Sequence, residues 1–172
     1  MTQYRSKTAS VAILGILIAL ALALSLIDLS ISAALSFLPG VRMGLAGGMG
    51  LFCVHRLGIR YAVIVLAAKC ILTAAFSGSP TMLLFSAAGS FLGLLVTVAV
   101  YKHLSVIKTG VLGGITHNAA QMAVALMITG SAAFSWYLPV LLITGTVSGF
   151  AIGLVVNIVL QRTKKEAGSA GI

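Results

Sequence analysis

The chain has 172 residues, 60% of them hydrophobic and 8% charged, with 11 Lys plus Arg against 2 Asp plus Glu. A soluble domain carries about 25% charged residues, so this chain cannot cover a water-facing surface and reads as an integral membrane protein. With only Asp28 and Glu166 as acids, it cannot by itself build multi-carboxylate Mg²⁺ or Ca²⁺ sites, two-carboxylate glycosidases or Asp-rich prenyl transferases. The net charge of +9 is spread singly between apolar segments, which is the pattern of membrane-flanking residues and not of a nucleic-acid footprint.

In chain order, Thr8 to Ile27 is free of charge and stays apolar almost to Pro39. That exceeds a signal-peptide core of about 7–15 residues, so an uncleaved first span over 9–37 is expected. The second segment, 42–55, is short and holds Gly44, Gly47, Gly48 and Gly50, following Pro39 and Gly40. Glycine weakens a helix by about 1 kcal/mol, so this segment is either a broken membrane segment or a close-packing one. Further spans are predicted at 61–77 and 80–101, divided by Ser77-Gly78-Ser79-Pro80. The charge-free stretch from Thr109 to Gln161 suits two spans, 106–129 and 136–161, with Trp136 and Tyr137 as interfacial anchors. Small residues four apart at Gly89/Gly93, Gly110/Gly114 and Gly145/Gly149/Gly153 suit helix packing. Cys53 and Cys70 lie in apolar stretches without CxxC spacing and read as buried small hydrophobes.

Six spans place Arg5, Lys7, Arg56, Arg60, Lys102, Lys108, Arg162, Lys164 and Lys165 on one side and Arg42 alone on the other. The positive-inside rule then puts both termini in the cytoplasm. The expected fold is an all-α polytopic bundle of six transmembrane helices. A cytoplasmic segment 1–8 precedes one membrane domain, 9–161, and a polar cytoplasmic tail, 162–172, follows it.

Ionisable residues inside a bilayer cost about 2.5–3.5 kcal/mol on insertion scales and mark pathways or pockets. Asp28, Arg42, Lys69 and His117 are such residues, with Asn118 and Gln121 beside them. Helix rise puts Asp28 in the outer half, Lys69 and His117 near the midplane, and Gln121 one turn beyond His117. Arg42 falls at the outer mouth. Together they sketch a polar cavity in the outer half, closed below by Lys69 and His117. Asp28 can neutralise Arg42 or Lys69 but not both, and a midplane lysine without a partner needs an anion or gives up its proton. A hydrogen-bonded core role for His117 stands beside a ligand-binding one. Three scattered histidines make no metal site, and no cofactor is implied. Asp28 and His117 suit a serine triad on paper, but nothing singles out a nucleophile. A GxxxxGK[ST] loop is absent, so nucleotide hydrolysis is not expected of this chain.

Three stretches carry a family resemblance. Pro39-Gly40-Val41-Arg42-Met43-Gly44-Leu45-Ala46 is similar to the PGxKLGLAN signature of the Gx transporter family. Gly113-Gly114-Ile115-Thr116-His117-Asn118-Ala119-Ala120-Gln121 resembles its GAxxHNxxQ element, and Leu138-Pro139-Val140-Leu141-Leu142-Ile143-Thr144-Gly145 its LPVLLISG. The resemblance runs over about residues 10–161. Asp28 stands where the family usually has Glu, Lys69 where it often has Arg, and Gly47 where it has Asn.

That family is also labelled heptaprenyl diphosphate synthase component I, and it resembles the S components of energy-coupling-factor transporters. The transporter likeness implies a bacterial cytoplasmic-membrane protein that captures a small organic molecule, anionic or partly apolar, resembling a vitamin or quinone precursor. Transport would then be energised by a separate ATPase pair through a coupling membrane subunit. It implies substrate contacts by Asp28, Arg42, Gly44, Gly47, Lys69, His117, Asn118 and Gln121, a lid at 40–50, and a coupling interface at Gly15, Ala19 and Ala23. Packing within the bundle is the alternative for that last stripe. The synthase label implies an accessory, non-catalytic membrane subunit beside a soluble polyprenyl diphosphate synthase in menaquinone side-chain synthesis. A lone proton-coupled transporter using Asp28 and His117 is the remaining expectation, without an evident inverted repeat behind it.

Overall fold

A computed structural model describes residues 7–35 and 42–169. Within them lie α1 (Lys7–Leu35), α2 (Gly47–Arg56), α3 (Ile59–Ser77), α4 (Pro80–Val100), α5 (Val106–Thr129) and α6 (Leu138–Ser169), with a 3₁₀ turn at Ala132–Tyr137. The breaks follow local chemistry. Pro80 opens α4, where its missing N–H removes nothing from the ladder. The Ser105 hydroxyl accepts the Lys108 amide and caps α5. Gly130, at φ +61°, closes α5 in the left-handed conformation that favours glycine. The predicted tail beyond 161 continues α6 as helix to Ser169.

Five helical stretches are long and apolar enough to cross a membrane: Thr8–Ser32, Ile59–Ser77, Pro80–Val100, Val106–Thr129 and Ser135–Lys164. The expected second spanning helix at 42–55 is not among them. Residues 42–46 are non-helical and α2 has only 10 residues, about 15 Å of rise. The glycine-rich sequence takes the broken form of its two alternatives, because Asp28 and Gln121 offer its backbone better partners than a helix would.

α5 is the centre of the bundle, between α4 and α6. A Cβ at Gly110 would lie 2.7 Å from the Gly149 carbonyl oxygen, and one at Gly145 would lie 2.7 Å from that of Gly114. The repeated glycines therefore let the α5 and α6 backbones touch. α1 stands at the edge, burying Leu17, Ala21, Ser25, Asp28 and Ser32 and leaving Val11, Ile16, Leu20 and Ile27 exposed. Those outward side chains suit hydrocarbon, which has no water for them to avoid.

Candidate functional site

Non-helical backbone at membrane depth survives only where its polar groups find partners. For residues 42–44 these come from three helices. Asp28 Oδ1 accepts the Met43 amide at 3.0 Å and Oδ2 the Gly44 amide at 2.9 Å. Gln121 Oε1 accepts the Arg42 amide at 2.8 Å. Ser148 Oγ donates to the Met43 carbonyl at 3.0 Å. The broken segment is thus bonded to α1, α5 and α6 within three residues.

The Arg42 side chain turns inward. Its Nη2 donates to the Ser25 carbonyl and, at 2.5 Å, to the Ser25 hydroxyl, while Nε lies 3.7 Å from Asp28 Oδ2. The expected place at an outer mouth is corrected: Arg42 is 2% exposed, because Ser25 and Asp28 draw it into the bundle. Asp28 pairs with Arg42 and not with Lys69, whose Nζ donates to Ser90 Oγ at 2.9 Å. Two cations are therefore buried here against one carboxylate, and Arg42 Nη1 has no hydrogen-bond partner within the described chain.

His117 sits in a glycine slot. A Cβ at Gly44 would lie 2.7 Å from its Cδ2 and one at Gly89 would lie 2.6 Å from its Cε1. Gly44 also holds φ +82°, so both the space and the backbone demand glycine there. The tautomer follows from the neighbours. The Arg42 amide only donates, so Gln121 turns its oxygen to it and its amide nitrogen to His117 Nε2, at 3.0 Å. Nε2 must then accept, which places the proton on Nδ1. Asn118 faces α6 instead: Nδ2 donates to the Leu141 carbonyl at 2.8 Å and to Thr144 Oγ1 at 3.2 Å.

The cavity that His117 lines among the described residues differs in place from the expected outer-half cavity closed below by His117 and Lys69. The cavity beside His117 runs the other way, along Gly47, Gly50, Ser90, Gly93 and Gly113 to Thr97, toward the C-terminal end of α4, which Lys102 follows, and the start of α5, which bears Lys108. It holds about 40 Å³, enough for water-sized groups and too little for an organic molecule. The direction follows from side-chain size, since glycines leave space below the imidazole while Asp28, Arg42 and Gln121 fill the level above it. Of the predicted site residues, Gly44, Gly47 and His117 line this cavity, while Asp28, Arg42, Lys69 and Gln121 form the polar layer at its top. Residues 40–41 of the expected lid lie outside the described residues.

Ser25, Thr73, Ser90 and Ser148 were not foreseen as part of this layer. Thr73 Oγ1 donates to Ser25 Oγ at 3.0 Å, joining α3 to α1. Ser25, Asp28 and Ser32 fall on one helical face at three- and four-residue spacing, a signal present in the sequence. Ser90 and Ser148 carry no such mark.

These features define an all-helical, multi-pass membrane protein with a hydrogen-bonded polar layer built around a broken second segment. The family described as heptaprenyl diphosphate synthase component I matches residues 17–159. The chain belongs to that family. No curated protein and no solved structure matches it.

Proposed function

We propose that this chain is the non-catalytic membrane component of a heptaprenyl diphosphate synthase, holding a soluble, Asp-rich catalytic subunit at the bilayer where the long apolar product partitions. The observation that carries this reading is the family match across residues 17–159. The carboxylate inventory supports the non-catalytic part. Asp28 is the one acid of the apolar body, and it is consumed by the Met43 and Gly44 amides and by Arg42. Such a site cannot offer the paired Asp-rich motifs that Mg²⁺-dependent prenyl transfer uses. In this reading the 42–46 segment and α2 together make a sixth crossing, both termini face the cytoplasm of a bacterium, and the basic end of the bundle meets the soluble partner. The test is co-expression of a tagged chain with a soluble polyprenyl diphosphate synthase. Stoichiometric co-purification, with long-chain product lost when this chain is removed, is the expected result. A synthase that makes full-length product alone and never co-purifies overturns the reading.

A second reading, substrate capture in the manner of an energy-coupling-factor S component, has two observations in its favour. Gly15, Ala19 and Ala23 all lie on the exposed face of α1, and a Cβ at Gly15 would meet nothing within 4 Å. That stripe does not pack within the bundle and stays open to a coupling membrane subunit. The surplus buried cation, Lys69 or Arg42, suits a small anionic molecule. Because the cavity is small, the 42–44 segment would have to move to admit it. Co-purification with an ATPase pair, and ligand binding weakened in Lys69→Met and His117→Ala, are the expected signs.

A further inference from the structure

A lateral groove opens between α1, α2 and α6. Among the described residues no Cα of α1 comes within 8 Å of one in α6, and the ten-residue α2 forms the floor between them. The groove holds about 500 Å³, within the range of about 300–1,000 Å³ common to ligand pockets. Its walls are apolar throughout, with Leu17 and Leu24 from α1, Met49 and Phe52 from α2, and Val155 and Val159 from α6. From Ala151 to Val159 it follows α6 for about 12 Å.

One end of this groove is basic. Arg56 lies one turn beyond Phe52 on α2, and Arg162 lies three residues beyond Val159 on α6, so both extend the groove-lining faces. Both are exposed. Asp28 is the sole acid whose side chain is described, and it is buried beside Arg42, so neither arginine has an ion-pair partner among the described residues. An apolar channel ending at two free guanidinium groups complements an amphiphile with an apolar chain and a multiply charged phosphate head.

We propose that this groove holds the isoprene units nearest the head of a long prenyl diphosphate, the rest of the chain running on into the bilayer, with the diphosphate held by Arg56 and Arg162. The site rests on the synthase reading for the identity of the lipid, and on the groove and its charged end for the place. It gives the membrane component a task besides anchoring: it takes the apolar chain out of the soluble subunit while the head stays at the basic face.

The test uses the full chain in detergent and a photoreactive heptaprenyl diphosphate. Labelling should concentrate on α1, α2 and α6, and unlabelled heptaprenyl diphosphate should compete, whereas heptaprenol and phosphatidylglycerol should not. Ala151→Trp fills an exposed position of the groove wall and should weaken binding by roughly tenfold through loss of apolar contact. Leu20→Trp, on the opposite wall and also exposed, does the same should Ala151→Trp fold poorly. Arg56→Gln with Arg162→Gln should weaken binding and flatten its dependence on salt. Labelling spread around all helices, equal competition by phosphatidylglycerol, or unchanged binding in both tryptophan variants overturns the site. Synthase co-purification without prenyl diphosphate binding removes this groove and leaves the synthase reading. Specific binding without synthase association does the reverse.

Discussion

The carboxylate of Asp28 accepts the amide of Gly44 at 2.9 Å, 16 residues along the chain, and so joins the C-terminal part of α1 to the segment that opens α2. The one intramembrane acid is therefore a backbone anchor as much as a counter-ion. Asp28→Asn should leave Arg42 buried without its charge partner and disturb the Met43 and Gly44 bonds, costing about 3–5 kcal/mol. Thermal unfolding in detergent should show a large fall for Asp28→Asn and a smaller one for Asp28→Glu, which keeps the charge. Equal Tm values for wild type and Asp28→Asn would show that the anchor carries no stability.

Gly89 and His117 should be energetically coupled. A methyl at Gly89 meets His117 Cε1 at 2.6 Å, so Gly89→Ala is expected to destabilise, and His117→Ala removes the obstacle. In the double variant the two losses should fall short of their sum by about 0.5–3 kcal/mol. Strict additivity in the melting data would contradict the close contact. Gly44→Ala should not be rescued in the same way, because its φ of +82° strains any Cβ even in empty space.

Lys69 answers to a different balance. Arg42 and Asp28 already form a neutral pair, so Lys69→Met removes the uncompensated charge and leaves Ser90 with a hydroxyl that can bond elsewhere. Its Tm should equal or exceed that of the wild type. A marked loss of stability would instead mean that the ammonium holds α3 to α4.

The glycines of α5 and α6 should divide sharply from the one on α1. Gly149→Ala puts a methyl 2.5 Å from the Gly110 carbonyl oxygen, where only backbone can yield, and folded yield in detergent should collapse. Gly15→Ala has open space and better helix propensity, so its Tm should rise slightly, by the equivalent of up to about 1 kcal/mol. If Gly15→Leu keeps that stability but loses a membrane partner, the outward stripe is an interface.

Much of this protein was legible in its sequence. The apolar lengths between Arg60, Lys102, Lys108 and Arg162, interrupted only by Lys69, define the long apolar helices after α2, because a bilayer imposes a length that composition reports directly. The identities of Asp28, Arg42, Lys69, His117 and Gln121 as unusual residues followed from the cost of burying polar groups in hydrocarbon. Their pairing did not follow, since spacing along one helix says nothing about which helix faces it. Only the tertiary structure decided that Asp28 takes Arg42 and leaves Lys69 to Ser90. It also decided that the second segment enters as unwound chain. A glycine-rich run permits both packing and breaking, and the choice falls to the acceptors that α1 and α5 bring to its amides. The cavity below His117 and the groove beside α2 are likewise tertiary facts. Both arise where side chains are missing or too short, and a sequence records what is present on each helix but not the gap between two of them.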